Sequence, residues 1–315
     1  PGDIILYEKD DIALQGVIIE DSFSLTSTTG SITVTDDVTV AANNFALTAA
    51  NDTHITGAVS GVDNITLTNG GVLKLPDTAL SATNRITLTA NDIQTNSERI
   101  TNVNAAELLY RVDGNNGLHR LNVAVDTLDA SLVGAGDLSI ASQSHLIVDD
   151  LDGQFGAVQV PQGNLNITVT NGDLQVDENI TVFDVVADGV RQGLIDIAIT
   201  EGDFRFGTSG AAVIESLNDV DQNVAGGLGF EPSDQVSVRI RQQSIADTAS
   251  VFQIGDGVGD QDTKLIARGG DLLVEAANRG VVLSEGNSRP LLLNNDLGVS
   301  APNHPSQAHD RTINH

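Results

Sequence analysis

Short runs of alternating apolar and polar residues cover most of the chain. The segments SITV from Ser31, FALTA from Phe45, ITLTN from Ile65 and ITLTA from Ile86 place an apolar residue at every second position. A period of two puts alternate side chains on opposite faces of an extended strand. Clusters of Asn, Asp and Gly separate the runs, and these residues tolerate the backbone conformations of sharp turns. The pattern therefore predicts many short strands, and helical periodicity is nearly absent.

Similar sequence segments recur at intervals along the chain. ITLT begins at Ile65 and again at Ile86, whereas two related segments begin somewhat further apart, at Gly163 and Gly193. Short strands and tight corners that repeat every 20 to 50 residues or so are typical of solenoids. We therefore expect an all-β fold, a parallel β-helix (β-solenoid) with irregular coils of about 20–30 residues. An array of β-sandwiches is the alternative.

Two stretches interrupt this pattern and suggest how the chain is organised. Residues 104–121, NAAELLYRVDGNNGLHRL, indicate an insertion, either a hairpin or a short helix. Residues 218–234 are rich in Gly and Asp, as in a linker or loop. We expect a β-solenoid over residues 1–217, further β coils over 235–300 and a polar tail over 301–315.

The charge balance limits the classes of partner. The chain carries a formal net charge of -28, from 43 acidic and 15 basic residues. Binding to nucleic acid needs basic residues that neutralise phosphates, and an anionic membrane would repel this surface. No apolar run is long enough to span a bilayer. We therefore expect neither nucleic-acid binding nor membrane insertion.

The absence of cysteine removes disulfides, thiol chemistry and Cys-based metal sites. It fits an exported bacterial surface protein. The chain begins PGDII rather than with Met, which indicates a processed product or a segment of a longer protein. An extracellular or cell-surface location is therefore expected.

Acidic turns supply the one predicted cofactor, Ca²⁺, because carboxylate and amide oxygens are its preferred ligands. Three loops combine such side chains at short spacing. The candidate ligands are Asp256, Asp260 and Asp262 in GDGVGDQD; Asp219, Asp221 and Asn223 in NDVDQN; and Asp113, Asn115 and Asn116 in DGNNG. GDGVGDQD is the first choice, and a solvated acidic turn is the alternative for each loop.

The strongest local candidate for catalysis is HLIVDDLDG, which holds His145 with Asp149, Asp150 and Asp152. Glycoside hydrolases work with paired carboxylates. The segment lacks the flanking motifs of such enzymes, and the chain has no nucleophile elbow, phosphate loop or His-Glu-x-x-His motif. A strand that ends in an acidic turn explains these residues, so we predict no catalytic residue and no enzyme activity.

The segments GDLSIAS from Gly136, GNLNITVTNGDLQV from Gly163 and NITLTNGGVLKL from Asn64 resemble the filamentous-haemagglutinin type of repeat. Such repeats occur in large secreted bacterial adhesins. The resemblance spans roughly Ser31 to Gly207, extends to Gly269–Leu283, and implies a right-handed β-helix in an extracellular setting. The period is less regular than in that family, and no clear match to its amino-terminal secretion domain is visible.

Both ends of the sequence are strand-like and aliphatic. Ile4, Ile5 and Leu6 lie near the amino end, and the carboxyl end offers Leu291, Leu292 and Leu293. A parallel solenoid ends in open sheet edges, which pair readily with other strands unless they are capped. We therefore expect head-to-tail self-association through these residues, or pairing with flanking repeats of a longer chain.

These patterns favour a non-enzymatic extracellular structural protein. It would be a β-solenoid segment of a bacterial adhesin, matrix fibre or surface layer that polymerises end to end, with cell-surface polysaccharide as a further candidate partner. The alternatives are a segment of a phage or virus tail fibre, for which trimers would be the sign, and a polysaccharide-active β-helix enzyme. Three carboxylates that converge in a surface groove would favour the enzyme.

Overall fold

The computed structural model describes most of the chain up to residue 218 and shorter ranges after it. The described residues are 2–16, 18–40, 43–95, 101–114, 117–153, 156–184, 193–207, 212–218, 236–243, 252–254, 263–268, 271–276, 282–283 and 297–298. No helix occurs within these ranges. Strands pair in parallel with strands one coil earlier and one coil later. The predicted all-β parallel β-helix is confirmed, and the sandwich alternative is wrong, because sandwiches are built from antiparallel sheets.

The chain up to Leu132 forms coils of nearly constant length, and we call this part the first region. Its strands are β1 (Ile4–Glu8), β2 (Ile12–Leu14), β3 (Ile18–Ile19), β4 (Phe23–Ser27), β5 (Ile32–Val34), β6 (Val38–Val40), β7 (Asn44–Ala49), β8 (Thr53–Ile55), β9 (Val59–Asn69), β10 (Val72–Lys74), β11 (Leu80–Ala90), β12 (Asp92–Gln94), β13 (Val103–Val112) and β14 (Leu118–Leu132). Register pairs such as Ile4–Phe23 and Leu80–Val103 differ little in their separation along the chain. Three parallel ladders run along this region, and β9, β11 and β13 each take part in two of them.

The alternation in the sequence becomes an apolar interior. Phe45, Ile65 and Ile86 are in register on successive coils and are buried. The Thr residues between them, such as Thr48 and Thr68, face outward on the same strands. Each buried Leu, Ile or Phe contributes about 1.5–3 kcal/mol to the free energy of unfolding, because its apolar area is removed from water.

The corners use acidic residues as hydrogen-bond acceptors. The Asp11 carboxylate accepts the Ser31 backbone N–H at 2.8 Å, and Asp52 accepts the Val72 N–H at 2.7 Å. At a later corner Asp173 accepts the Asp203 N–H at 2.8 Å. Each of these bonds joins one coil to the next. At these corners the strand ladders leave backbone N–H groups unpaired, and Asp carboxylates accept their hydrogen bonds. This role accounts for part of the chain's strong negative charge.

Two glycines show how closely the corners stack. A Cβ atom added to Gly30 would collide with the Asp10 backbone, and one added to Gly163 would collide with the Gly136 carbonyl. These corners accept no side chain, which explains why Gly recurs beside the acidic residues.

The long strand β14 joins the first region to the rest of the solenoid. On one side it pairs with β13 over Val123–Leu132. The following strands are β15 (Asp137–Ser142), β16 (Leu146–Val148) and β17 (Val158–Pro161). All three pair with the other side of β14, at different points along its length. One strand therefore carries the start of three ladders.

The second region begins at β15 and has longer and less even coils. Its further strands are β18 (Leu165–Asn171), β19 (Leu174–Val176), β20 (Ile180–Asp184), β21 (Ile195–Glu201), β22 (Phe204–Phe206), β23 (Val213–Asn218), β24 (Val236–Gln242), β25 (Phe252–Ile254), β26 (Lys264–Arg268), β27 (Asp271–Ala276), β28 (Val282–Leu283) and β29 (Leu297–Gly298). The register pair Val158–Ile180 closes a coil as short as those of the first region, whereas Val213–Lys264 closes one more than twice as long. The longer repeat seen in the sequence corresponds to the pair Leu165–Ile195.

The stretch at residues 104–121, where the sequence suggests an insertion, contains paired strands in its described part. β13 and the start of β14 lie in this stretch, and β13 continues the ladders, since Ile86 pairs with Leu108 and Leu108 with Leu128. The coil length across it is nearly the same as before it. Of the predicted linker, only residue 218 is described, and the predicted tail lies outside the described residues. β24 to β29 fall within the range predicted for further coils.

Candidate functional site

The amino-terminal edge of the solenoid is open. β1 pairs with β4, and no second strand pairs with β1 among the described residues. Ile4 and Leu6 occupy inward positions, since they are in register with Phe23 and Leu25. Ile4 is 41% exposed and Leu6 42%, whereas Phe23 is only 3% exposed. Within the described residues, the inward side chains of β1 are therefore uncovered on one side.

The backbone of β1 is also available on that edge. The Ile4 N–H donates to the Ser22 carbonyl at 2.9 Å, and the Glu8 carbonyl accepts from the Thr28 N–H at 3.0 Å. In a parallel strand, alternate residues direct their backbone groups to opposite sides. Ile5 and Tyr7 therefore direct their N–H and C=O groups away from β4, and both side chains are exposed. Such an edge is a template for another strand.

The predicted partner edge is not described to the same extent. Leu291, Leu292 and Leu293 lie outside the described residues. The last described strand, β29, pairs with β27 through Leu272–Leu297 and Leu273–Gly298. The role of the three leucines in self-association stays a prediction.

A cluster of charged residues lies where β14 starts the second region. The Arg111 guanidinium donates to Asp129 at 2.7 Å and to Asp152 at 2.9 Å. The second oxygen of Asp129 accepts the Leu151 N–H at 3.0 Å. The Asp129 side chain is 0% exposed. The cluster thus binds the turn at residues 149–153 to the outer face of β13 and β14.

Burial and the neighbouring charges have opposite effects on the pKa values of Asp129 and Arg111. Burial raises the pKa of the Asp129 carboxyl, and the hydrogen bonds from Arg111 and from the Leu151 N–H work against that rise. Burial alone would lower the pKa of Arg111, but its bonds to Asp129 and Asp152 outweigh burial and raise it. Arg111 therefore stays charged and is the cation that holds the turn.

The same carboxylates have the spacing of a metal site. Asp129, Asp150 and Asp152 can each place one oxygen within 4.8 Å of the others, the one such acidic group found in the described part of the chain. Two of the three already bind the Arg111 guanidinium, and Asp150 accepts the N–H groups of Asp152 and Gly153. A divalent ion would have to compete with Arg111, so the donor set fits an ion pair better than a metal.

Most of the predicted calcium ligands cannot be placed. Asp219, Asp221, Asn223, Asp256, Asp260, Asp262, Asn115 and Asn116 all lie outside the described residues. Asp113 is described, and its side chain is exposed at the turn after β13, where its backbone N–H donates to the Ala90 carbonyl at 2.9 Å. It does not belong to the acidic group above.

The candidate catalytic segment folds as expected from its sequence. β16 ends at Val148, and Asp149, Asp150 and Asp152 form the acidic turn that follows it. His145 does not approach this turn through any described contact; its Nδ1 lies 3.8 Å from Asp173 on the next coil. The turn brings Asp150 and Asp152 to Asp129, a residue that the sequence did not single out.

Sequence reasoning missed Arg111 and Asp129 as a pair. Each lies in a strand of mainly aliphatic residues, ELLYRV and TLDASL, where a charge is unusual. Their strands are register neighbours on successive coils. A search for opposite charges on neighbouring coils would have found the pair, but not the turn that completes it.

No protein family, no curated protein and no solved structure matches this chain. In the described residues there is likewise no helix of the length and apolarity needed to cross a bilayer.

Proposed function

We propose that the chain is a non-enzymatic structural protein, a β-solenoid rod from an extracellular or cell-surface adhesin, matrix fibre or surface layer. It joins end to end with another solenoid edge, either a second copy in head-to-tail order or flanking repeats of a longer chain. The open amino-terminal edge carries this proposal, because inward apolar residues and outward backbone groups are uncovered at the same strand. A head-to-tail contact does not close on itself and so gives a filament.

The experiment uses proline to remove one backbone donor from the edge. Ile5→Pro deletes an N–H that points away from β4, and proline is tolerated on edge strands. Leu292→Pro tests the predicted partner edge. We expect both variants to form shorter polymers in sedimentation and electron microscopy, with the central coils still folded. Ile5→Ala, which keeps the N–H, is the matched control and should polymerise better than Ile5→Pro.

Three outcomes have different meanings. Wild-type protein that sediments as a monomer at high concentration, with calcium present, would contradict end-to-end joining. Discrete trimers would instead favour the tail-fibre alternative. Equal polymer lengths for Ile5→Pro and Ile5→Ala would show that the backbone of β1 is not part of the junction.

A polysaccharide-active enzyme is the second candidate, and the convergence of Asp129, Asp150 and Asp152 favours it. It ranks second because Asp129 is fully buried and bonded to Arg111, whereas a glycosidase carboxyl must reach its substrate. Acidic polysaccharides should yield no reducing ends or unsaturated products with the wild type. Turnover that disappears when Asp149, Asp150 and Asp152 are replaced by Asn would reverse this ranking.

Calcium remains part of the proposal as a stabilising ion. With 43 acidic and 15 basic residues, self-repulsion opposes compact stacking, and bound cations would relieve it. We expect millimolar calcium to raise the Tm more than sodium chloride at equal ionic strength. Identical shifts would mean that the ions act only by screening.

A further inference from the structure

One ladder of the first region stops at the junction with the second. β12 pairs with β10, and among the described residues no strand pairs with its other edge. The next chain segment on that side is the start of β14. The Thr95 hydroxyl, just after β12, donates to the Arg120 carbonyl at 3.1 Å across the gap. In the described residues this third ladder is therefore not continued by β14, although the other two are.

A cavity of about 480 Å³ lies in this gap. This volume is within the range of roughly 300–1,000 Å³ found for small-molecule sites. Its lining residues are Asp92, Ile93, Gln94, Thr95, Gly117, Leu118 and Arg120. Carboxylate, amide, hydroxyl and guanidinium groups are thus combined with two aliphatic side chains. Leu118 is one of the few large apolar residues with an exposed side chain in the described part of the molecule.

A buried histidine lies beside the carboxylate that lines the cavity. The His119 side chain is 2% exposed, and its Nδ1 has no hydrogen-bond partner. The nearest carboxylate is Asp92, at 3.8 Å, and Asp92 also lines the cavity. Buried polar atoms are normally paired. His119 does not itself line the cavity, and its only described link to the cavity is this approach to Asp92.

We propose that this cavity binds one end or one short stretch of a neutral polysaccharide. One carboxylate and one guanidinium in the lining give no net charge, so the cavity itself favours an uncharged ligand, and the charge of -28 on the whole chain repels anionic ones. The planar carboxylate of Asp92 and the amide of Gln94 offer acceptors and donors that match neighbouring sugar hydroxyls. The exposed Leu118 side chain offers apolar contact for the C–H face of a sugar ring.

Asp92 is the central acceptor of this site. One of its oxygens accepts from the Gln94 amide at 2.8 Å, and the other is the one nearest to His119. A sugar hydroxyl that donates to Asp92 would be added to a carboxylate whose position is already fixed by Gln94. The site gives the proposed adhesive role a location. The inference rests on the proposed adhesive role only for the source of the sugar. Sugar binding and polymer length are measured separately, so failure of one can be distinguished from failure of the other.

The test compares two glutamines in the same kind of contact. Gln94 bonds Asp92 at the cavity, and Gln175 bonds Asp177 at 2.6 Å on β19, away from the cavity. The probes are neutral trisaccharides of glucose, mannose and N-acetylglucosamine, with a trigalacturonate as the anionic comparator, titrated into the full chain by calorimetry and NMR. We expect at least one neutral probe to bind in the millimolar range. Gln94→Ala should weaken it about tenfold, and Gln175→Ala should not change it.

Several results would overturn the site. These are no binding of any neutral trisaccharide to the wild type, equal effects of Gln94→Ala and Gln175→Ala, or tighter binding of the trigalacturonate. Binding of an extended peptide but no sugar would assign the free edge of β12 to strand addition instead. Sedimentation of the same variants distinguishes this result from failure of the rod, because Gln94→Ala should leave polymer length unchanged.

Discussion

The coils before and after β14 differ in how much their lengths vary, but they stack in the same way. Register partners are nearly evenly spaced along the chain in the first region, whereas their spacing more than doubles within the second. Inward positions are nevertheless equally buried, as Ile65 in the first region and Ile167 in the second show. The strand ladders therefore define this fold, and the corners between them absorb differences in length.

The difference has a simple energetic reason. The entropic cost of closing a loop grows only slowly with its length, so a longer corner is cheap if the strands on either side stay in register. Losing one strand pairing would instead expose inward side chains on two coils. Variation is consequently confined to the connections. This also explains why β14 is needed, because three ladders must begin from one strand where the coil length changes.

The largest expected effects come from removing one aromatic ring in each region. Phe45 stacks on Phe23 with ring centroids 5.7 Å apart, and Phe204 lies 6.5 Å from Phe206. We expect Phe45→Ala and Phe204→Ala each to cost about 3–5 kcal/mol. Hydrogen exchange should show lost protection only in the region that carries the change, since solenoid coils contact mainly their neighbours. Equal loss in both regions would mean that the two unfold as one unit.

The next effect is expected at the junction itself. Asp129→Ala leaves the buried guanidinium of Arg111 with Asp152 alone, and breaking such a pair costs about 3 kcal/mol. Urea unfolding should then show two transitions, because the regions are less firmly joined. Glu107→Ala is the control: it breaks the exposed Arg85–Glu107 pair of the first region and should cost less than about 1 kcal/mol. A single, unshifted transition for Asp129→Ala would show that the ion pair does not couple the regions.

The smallest effect concerns pH and belongs to the second region. Burial raises the pKa of Glu178, and Asp149, Asp150 and Asp177 raise it further. A carboxyl with a raised pKa binds its proton more tightly in the folded state, so its contribution is favourable at low pH and is lost as the pH rises through that pKa. Glu178→Gln should therefore slightly raise the urea midpoint at neutral pH and leave it unchanged below the ordinary glutamate pKa. The same gain at both pH values would assign the effect to packing. Glu201→Gln, at an exposed position, is the control.

The sequence predicted the strands of the individual coils better than the junction at β14 between the two regions. Period-two segments such as ITLT at Ile65 and Ile86 became paired strands in register, because alternation is a local property of the chain. Residues 104–121 depart from this alternation, since Leu109 faces outward and Arg111 is buried there. The reason for a buried Arg111 is Asp152, which is distant in the sequence, and only the folded chain brings them together. The open edge at Ile4 to Leu6 was visible as an aliphatic strand, whereas its exposure depends on whether another coil covers it.

The single strand β14 has a consequence for a rod that is pulled. A solenoid stretched from its amino end releases its coils one after another, because each is held chiefly by the next. The first region would yield in short, even steps of about one coil. Unfolding then reaches β14, a long strand that is hydrogen-bonded to three strands of the second region. Arg111 also binds the turn at residues 149–153. A force-extension trace should pause there, so the coils beyond β14 would keep their shape under loads that have already unwound those before it.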